Sequence, residues 1–324
     1  MSDVISLVAA APVSFGDLLT PLFVFNALSG LFDWFLTAVV DGSFSWLADV
    51  TGLEFLTYPY MQRAYLSVLC IGVVGPLVGS FLVYRDLSMV GDTLAHTAFA
   101  GVAVALFLDA TLALSVPPLV GALVVATIAA LVVQVLVEYT DARSDAALAM
   151  VLTGGFALGS VLISLTDGGI SVGINQYLFG SLATVSRADV GLLVSMALVV
   201  AVAVTAAYRP LLYVTFDETA ARASRVHVRA MNTLLSILTA FVVVSAMQIM
   251  GVILVAALLV IPVVTAAPLG RSYKGSLLYG VVAAEVAGVA GVTLAYLYGI
   301  TAGGSIVLVA IGGFVVAQIS RRTW

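Results

Sequence analysis

Apolar runs of about twenty residues recur along most of this chain, and that recurrence restricts its fold more than any other feature. A run of that length crosses the roughly 30 Å hydrocarbon core of a bilayer as a helix. In lipid, every backbone polar group has to be satisfied within the helix itself or around a closed barrel. Blocks of this kind fall near 64–84, 88–108, 117–137, 146–166, 189–208, 232–250, 251–269, 276–298 and 304–320. A tenth candidate lies near 17–40, interrupted by Asn26 and Asp33. The ~10-residue alternating segments of a membrane barrel are absent. Only 9% of the 324 residues are charged, against about 25% in soluble domains. The fold class read from this is all-α: a polytopic membrane helix bundle with nine or ten spans.

Basic residues then assign the sides. If the block near 64 starts outside, ten of the twelve Lys and Arg fall on the cytoplasmic side: Arg85, Arg143, Arg209, Arg222, Arg225, Arg229, Arg271, Lys274, Arg321 and Arg322. Arg63 and Arg187 fall outside. Cytoplasmic loops carry this excess in membrane proteins generally. The bias collapses if 232–269 crosses once, so that stretch is expected to cross twice, bending at Met247–Gly251. Pro117 and Pro118 are expected to open a helix, where the missing N–H matters little. Pro262 is expected to kink or break one. The spacings Gly75/Gly79 and Gly155/Gly159 suit close helix packing.

Within this nearly charge-free setting, Asp92 and His96 stand out in Gly91-Asp92-Thr93-Leu94-Ala95-His96. Residues four apart lie on one face of a helix. An ionisable group at lipid depth costs on the order of 2.5–3.5 kcal/mol by insertion scales, so it marks a function or needs a partner. Carboxylate plus imidazole is ligand chemistry for a divalent cation. An internal Asp–His hydrogen bond that fixes helix packing fits the same residues, and chemistry alone leaves the two readings open. Counted from Arg85, Asp92 lies roughly 10 Å above the boundary and His96 about 6 Å further, near mid-membrane. Glu285 is a second deep carboxylate, able either to line a path or to bond a neighbouring helix. Asp109 and Asp167 read as solvated helix ends.

The longest polar connector is 208–230. It carries Phe216, Asp217, Glu218 and Ala220, then Arg222, Arg225, His227 and Arg229. Acids first and arginines later match a helix dipole, which predicts a short surface helix. A single lysine, Lys274, leaves no Gly-x-x-x-x-Gly-Lys-Ser/Thr loop, so nucleotide binding through a P-loop is excluded. Gly-x-Ser-x-Gly and His-Glu-x-x-His are also missing, and the one cysteine, Cys70, rules out an intrachain disulfide. The net charge of −5 argues against a nucleic-acid partner. No Lys or Arg precedes Arg63, so a basic signal-peptide n-region is not expected. Hydrolytic and redox enzymes therefore lack support, and transport is the reading left.

Several segments in order carry a resemblance. They are Tyr58-Pro59-Tyr60-Met61-Gln62-Arg63-Ala64, the run Phe81–His96, Tyr177-Leu178-Phe179-Gly180-Ser181-Leu182, Phe216-Asp217 with Ala220, the run Gly251–Pro262, and Gly303-Gly304-Ser305-Ile306-Val307-Leu308. From about residue 57 to the C-terminus the chain resembles the permease subunits of manganese/zinc ATP-binding-cassette importers. The resemblance implies an architecture like that of vitamin B12 and siderophore permeases, in the plasma membrane. It also implies a permease homodimer, two cytoplasmic ATPase subunits and an extracytoplasmic metal-binding lipoprotein as partners. Asp92 and His96 would then line the metal path, with Glu285 as a lesser candidate. The stretch from Phe216 through Asp217, Glu218, Ala220, Arg222 and Arg225 would be the helix that docks on the ATPase. No cofactor is expected to stay bound; zinc, manganese or iron would be cargo. Two features depart from the family pattern: Ser224 and Arg225 stand where a glycine usually follows the docking helix, and Asp86 replaces a second basic residue. The 1–56 extension, with Trp34, Phe44 and Trp46, lies outside the common 57–324 domain. A metal-chelate permease and a stand-alone cation transporter are the alternatives.

Overall fold

The computed structural model describes residues 42–112, 116–139, 144–165, 177–180 and 185–322. All regular elements among them are helical: α1 (Gly42–Thr51), α2 (Pro59–Val83), α3 (Met89–Leu112), α4 (Pro118–Tyr139), α5 (Ser144–Ser164), α6 (Arg187–Ala206), α7 (Tyr208–Phe216), α8 (Glu218–Ala223), α9 (Val228–Met250), α10 (Val252–Ala266), α11 (Tyr273–Tyr298) and α12 (Ala302–Arg322), with a 3-10 turn at Glu54–Thr57. Each of the nine expected apolar blocks becomes one of these helices. Eight are long and apolar enough to cross a membrane. The candidate block near 17–40 lies outside the described residues.

The chain divides into two units, Met1–Gln62 and Arg63–Trp324. In the first, α1 leads through the 3-10 turn to the start of α2, where Gln62 Nε2 donates to the Leu56 carbonyl at 3.1 Å. The second unit holds the bundle.

Several of its helices end the same way. After α2, the N–H of Leu87 returns to the Leu82 carbonyl and that of Asp86 to Val83, with Asp86 at φ 57°. After α8, Val226 returns to Ala221 and Arg225 to Arg222, with Arg225 at φ 61°. After α11, Ile300 returns to Ala295 across Gly299 at φ 64°. These are left-handed C-terminal caps that satisfy orphan carbonyls, and glycine holds only one of the three.

The bend expected within 232–269 is present. α9 stops at Gly251 (φ 83°), where a side chain would collide with the backbone at Leu178–Gly180, just ahead of α6. Near that end Arg63 Nη1 donates to the Val185 carbonyl at 2.8 Å. α10 then returns to the opposite end, where Tyr273 meets Tyr84, Tyr208 and Phe216. At 15 residues, α10 rises only about 22 Å and is shorter than the eight helices long enough to span. α4 opens at Pro118 as expected. Pro262 does not break its helix: α10 runs through it.

α3 is the central helix, packed on α4, α5, α9 and α10. Small residues make this possible. A Cβ on Gly101 would collide with the backbone of Gly121 in α4. Gly155 and Gly159 bring α5 onto Thr97, Phe99 and Ala100 of α3, while Gly79 sits against the Leu259 carbonyl of α10. Both GxxxG spacings therefore serve close contact between helices.

Candidate functional site

From Val90 to Ala103 every residue of α3 is buried except Asp92 and His96. Their side chains keep 41% and 20% of their surface exposed. The i,i+4 spacing places them on one face, as expected, with His96 Nε2 3.5 Å from Asp92 Oδ1. That separation lies beyond a normal hydrogen bond, so the pair is not locked to itself. The buried His96 Nδ1 has no hydrogen-bond partner among the described residues. Phe156 of α5 meets the His96 ring edge-on at 5.4 Å and stacks on Phe99 at 5.6 Å. The imidazole is thus held by an aromatic wall. Sequence reasoning did not single out Phe156, and only the Gly155/Gly159 spacing hinted that α5 approaches here.

Residues 84–88 form a turn and α3 begins at Met89, so Asp92 lies in its first turn, about 4–5 Å along the helix, and His96 about 10 Å along. Along α3 the pair sits toward the end that carries Arg85.

Glu285 of α11 is not drawn to this pair: among the described residues no three His, Cys, Asp or Glu side chains come together as a metal-holding group. Its carboxylate faces Gly72 of α2, where a Cβ would lie 2.7 Å from Oε1. Glycine leaves the room that this acid occupies. Asp109 is exposed near the end of α3; Asp167 lies outside the described residues.

The polar connector folds as two short helices at the basic end. Asp217 caps α8, its Oδ1 accepting from the Ala220 N–H at 2.8 Å, and Glu218 pairs with Arg222 one turn later. Val214, Ala221 and Val228 form a small core, with Val226 and Met231 against it. The expected surface helix is present but spans six residues. Arg225 and His227 lie beyond it and Arg229 falls in the first turn of α9. Arg225 adopts the left-handed conformation that the missing glycine would favour.

Phe216 reaches back into the bundle. Its ring lies 5.9 Å from Tyr84 and 6.0 Å from Tyr273. Tyr273 and Ser80 share a hydrogen bond of 2.7 Å between their hydroxyls, and Tyr84 donates to Ser276 at 3.0 Å. Arg85 Nη2 donates to Asn232 Oδ1 at 2.8 Å. Burial pulls the Arg85 pKa down from its ordinary value, and the Glu218 carboxylate opposes that pull.

Known proteins are similar to this chain in sequence and fold. The chain is 31% identical over 257 residues to the manganese transport system membrane protein MntC of Halalkalibacterium halodurans, covering 79% of this chain and 86% of that one. It is 30% identical over 251 residues to the manganese import system permease protein ScaB of Streptococcus gordonii, covering 78% and 87%. Among solved structures, PsaBC from Streptococcus pneumoniae in complex with Fab superposes with a TM-score of 0.73 at 28% identity, over 81% of this chain and 92% of that one. An inward-facing structure of a putative metal-chelate type ABC transporter shares the fold, with a TM-score of 0.60 at 19% identity, over 80% and 85%. The ABC 3 transport family pattern matches residues 57–321, and the chain belongs to that family.

Proposed function

We propose that this chain is the transmembrane permease subunit of an ATP-driven importer of divalent metal ions, manganese or zinc, in the plasma membrane. The observation that carries the reading is that, between Val90 and Ala103 of the central helix, Asp92 and His96 alone keep part of their surface exposed. Two donors each about 2.1 Å from one tetrahedral ion sit about 3.4 Å apart, close to the 3.5 Å between Nε2 and Oδ1. The carboxylate supplies charge and the imidazole a neutral nitrogen, a donor set common to zinc, manganese and iron. Two ligands leave the shell incomplete, so water or a second copy of the chain completes it, and the ion is held loosely enough to leave.

The remaining parts follow from this. A homodimer places two such pairs around one path, an extracytoplasmic metal-binding protein delivers the ion, and cytoplasmic ATPase subunits dock on the 216–229 stretch. The names of the manganese relatives and the PsaBC likeness support this reading.

Uptake of radiolabelled manganese and zinc into cells lacking the native gene tests the reading. Asp92→Ala and His96→Ala are expected to lose uptake of both while the chain still co-purifies with its ATPase. Undiminished uptake by both variants would refute it. Full chelate uptake by an Asp92→Asn, His96→Gln double variant would make the cargo a metal chelate.

A further inference from the structure

The turn between α2 and α3 is short, closed and tied on both sides. Residues 84–88 join the two helices, and the turn is stapled by the Leu87-to-Leu82 bond at 2.8 Å and the Val90-to-Leu87 bond at 3.0 Å. Asp92 follows two residues after Val90, so no flexible chain separates the turn from the Asp92–His96 pair. On its other side the turn meets the 216–232 region twice: Tyr84 packs on Phe216, and Arg85 donates to Asn232. Glu218 of α8 acts on the same guanidinium through its charge.

We propose that this turn is a lever, with Tyr84 and Arg85 as positioning residues, through which movement of the 216–229 stretch resets Asp92 and His96 within the path. The inference rests on the importer reading and adds to it the route by which the two regions communicate. α3 is one continuous helix packed on four others, so a push on its N-terminal turn is passed along it to the pair. A competing route runs through α9, which also packs on α3 and holds Asn232, the partner of Arg85. Tyr84, whose ring meets Phe216, is the residue that separates the two routes. Tyr84 additionally spreads the load onto α11, through its hydroxyl on Ser276 and its ring against Tyr273 at 5.7 Å.

The test uses the assembled transporter with its ATPase in proteoliposomes, reading manganese ions moved per ATP hydrolysed. Tyr84→Leu and Arg85→Gln are expected to lower that ratio by about fivefold or more, the lower edge of ordinary coupling energies, while ATPase co-purification and hydrolysis persist. Tyr84→Phe, which keeps the ring, and Arg85→Lys, which keeps a donor for Asn232, are expected to restore most of it. An unchanged ratio in the Leu and Gln variants overturns the proposal. Should those variants fail to assemble, a nitroxide at Met89→Cys in a Cys70→Ser chain with the turn intact reads the same motion. Its spectrum is expected to change when ATP is trapped, and an unchanged spectrum overturns the proposal. Asp92→Ala in the same vesicles separates the two claims. If it still transports, the importer site is wrong; if it does not and the turn variants stay coupled, only the lever is wrong.

Discussion

At the scale of single residues, backbone conformation shows where this chain departs from its family without departing from the fold. Arg225 holds φ 61° and Asp86 holds φ 57°, a region that costs a side chain about 1–2 kcal/mol and that aspartate tolerates better than most. Both are kept because the cap they form satisfies helix carbonyls that would otherwise be orphaned. Arg225→Gly relieves that strain but gives the unfolded chain more freedom, worth about 0.5–1 kcal/mol in the other direction. The expected net effect is a gain of up to about 1 kcal/mol, with Asp86→Gly gaining less, read by thermal unfolding in detergent. Equal or lower stability of Arg225→Gly would mean that the guanidinium makes a compensating contact. The acid–imidazole pair was legible at this scale, because two ionisable groups at helical spacing in an apolar run have few uses. Phe156 was not, since an aromatic among Ala, Gly and Leu on an amphipathically featureless helix gives no sign of which neighbour it meets.

At the scale of elements, the spans were readable from hydropathy and length, and their pairing was not. Nine apolar blocks became nine helices, and arginine placement called for the bend that Gly251 makes between α9 and α10. The centrality of α3 had no signal in its composition: it resembles its neighbours, and only packing distinguishes it. Glycine spacing came nearest. Gly101 and Gly121 let α3 and α4 touch backbone to backbone, so Gly101→Ala is expected to cost about 1–3 kcal/mol as an overpacked contact, because neither backbone can swing aside. Gly154 of α5 meets nothing within 4 Å, so Gly154→Ala is expected to be neutral or stabilising by up to about 1 kcal/mol through helix propensity alone. Folded yield and melting temperature of the two variants in detergent check the contrast; similar losses in both would mean that the α3–α4 contact is not close. The 216–229 stretch was read as a helix because its acids precede its arginines, as a helix dipole favours. The left-handed residue that ends α8 early cannot be seen in a charge pattern.

At the scale of the whole molecule, the argument for direction of transport rests on which end of the bundle faces the cytoplasm. The fold gathers Tyr84, Arg85, Phe216, Asn232 and Tyr273 at one end through direct contacts, and the Lys and Arg excess belongs to that end. Positive residues hold such loops inside, so this end is expected to be cytoplasmic, where an ATPase is available to dock. α11 offers a clean test. Its 26 residues rise about 39 Å, enough to bring both flanks out of the hydrocarbon layer, and Arg271 and Ile300 are exposed on either side of it. In a Cys70→Ser background, a membrane-impermeant thiol reagent is expected to label Ile300→Cys in intact cells and Arg271→Cys only after permeabilisation. The reverse pattern would put the Asp92–His96 pair near the outer mouth and leave the 216–229 stretch out of reach of cytoplasmic ATP. The expected pattern instead puts the pair toward the cytoplasmic end of α3, just beyond the turn whose Tyr84 meets Phe216.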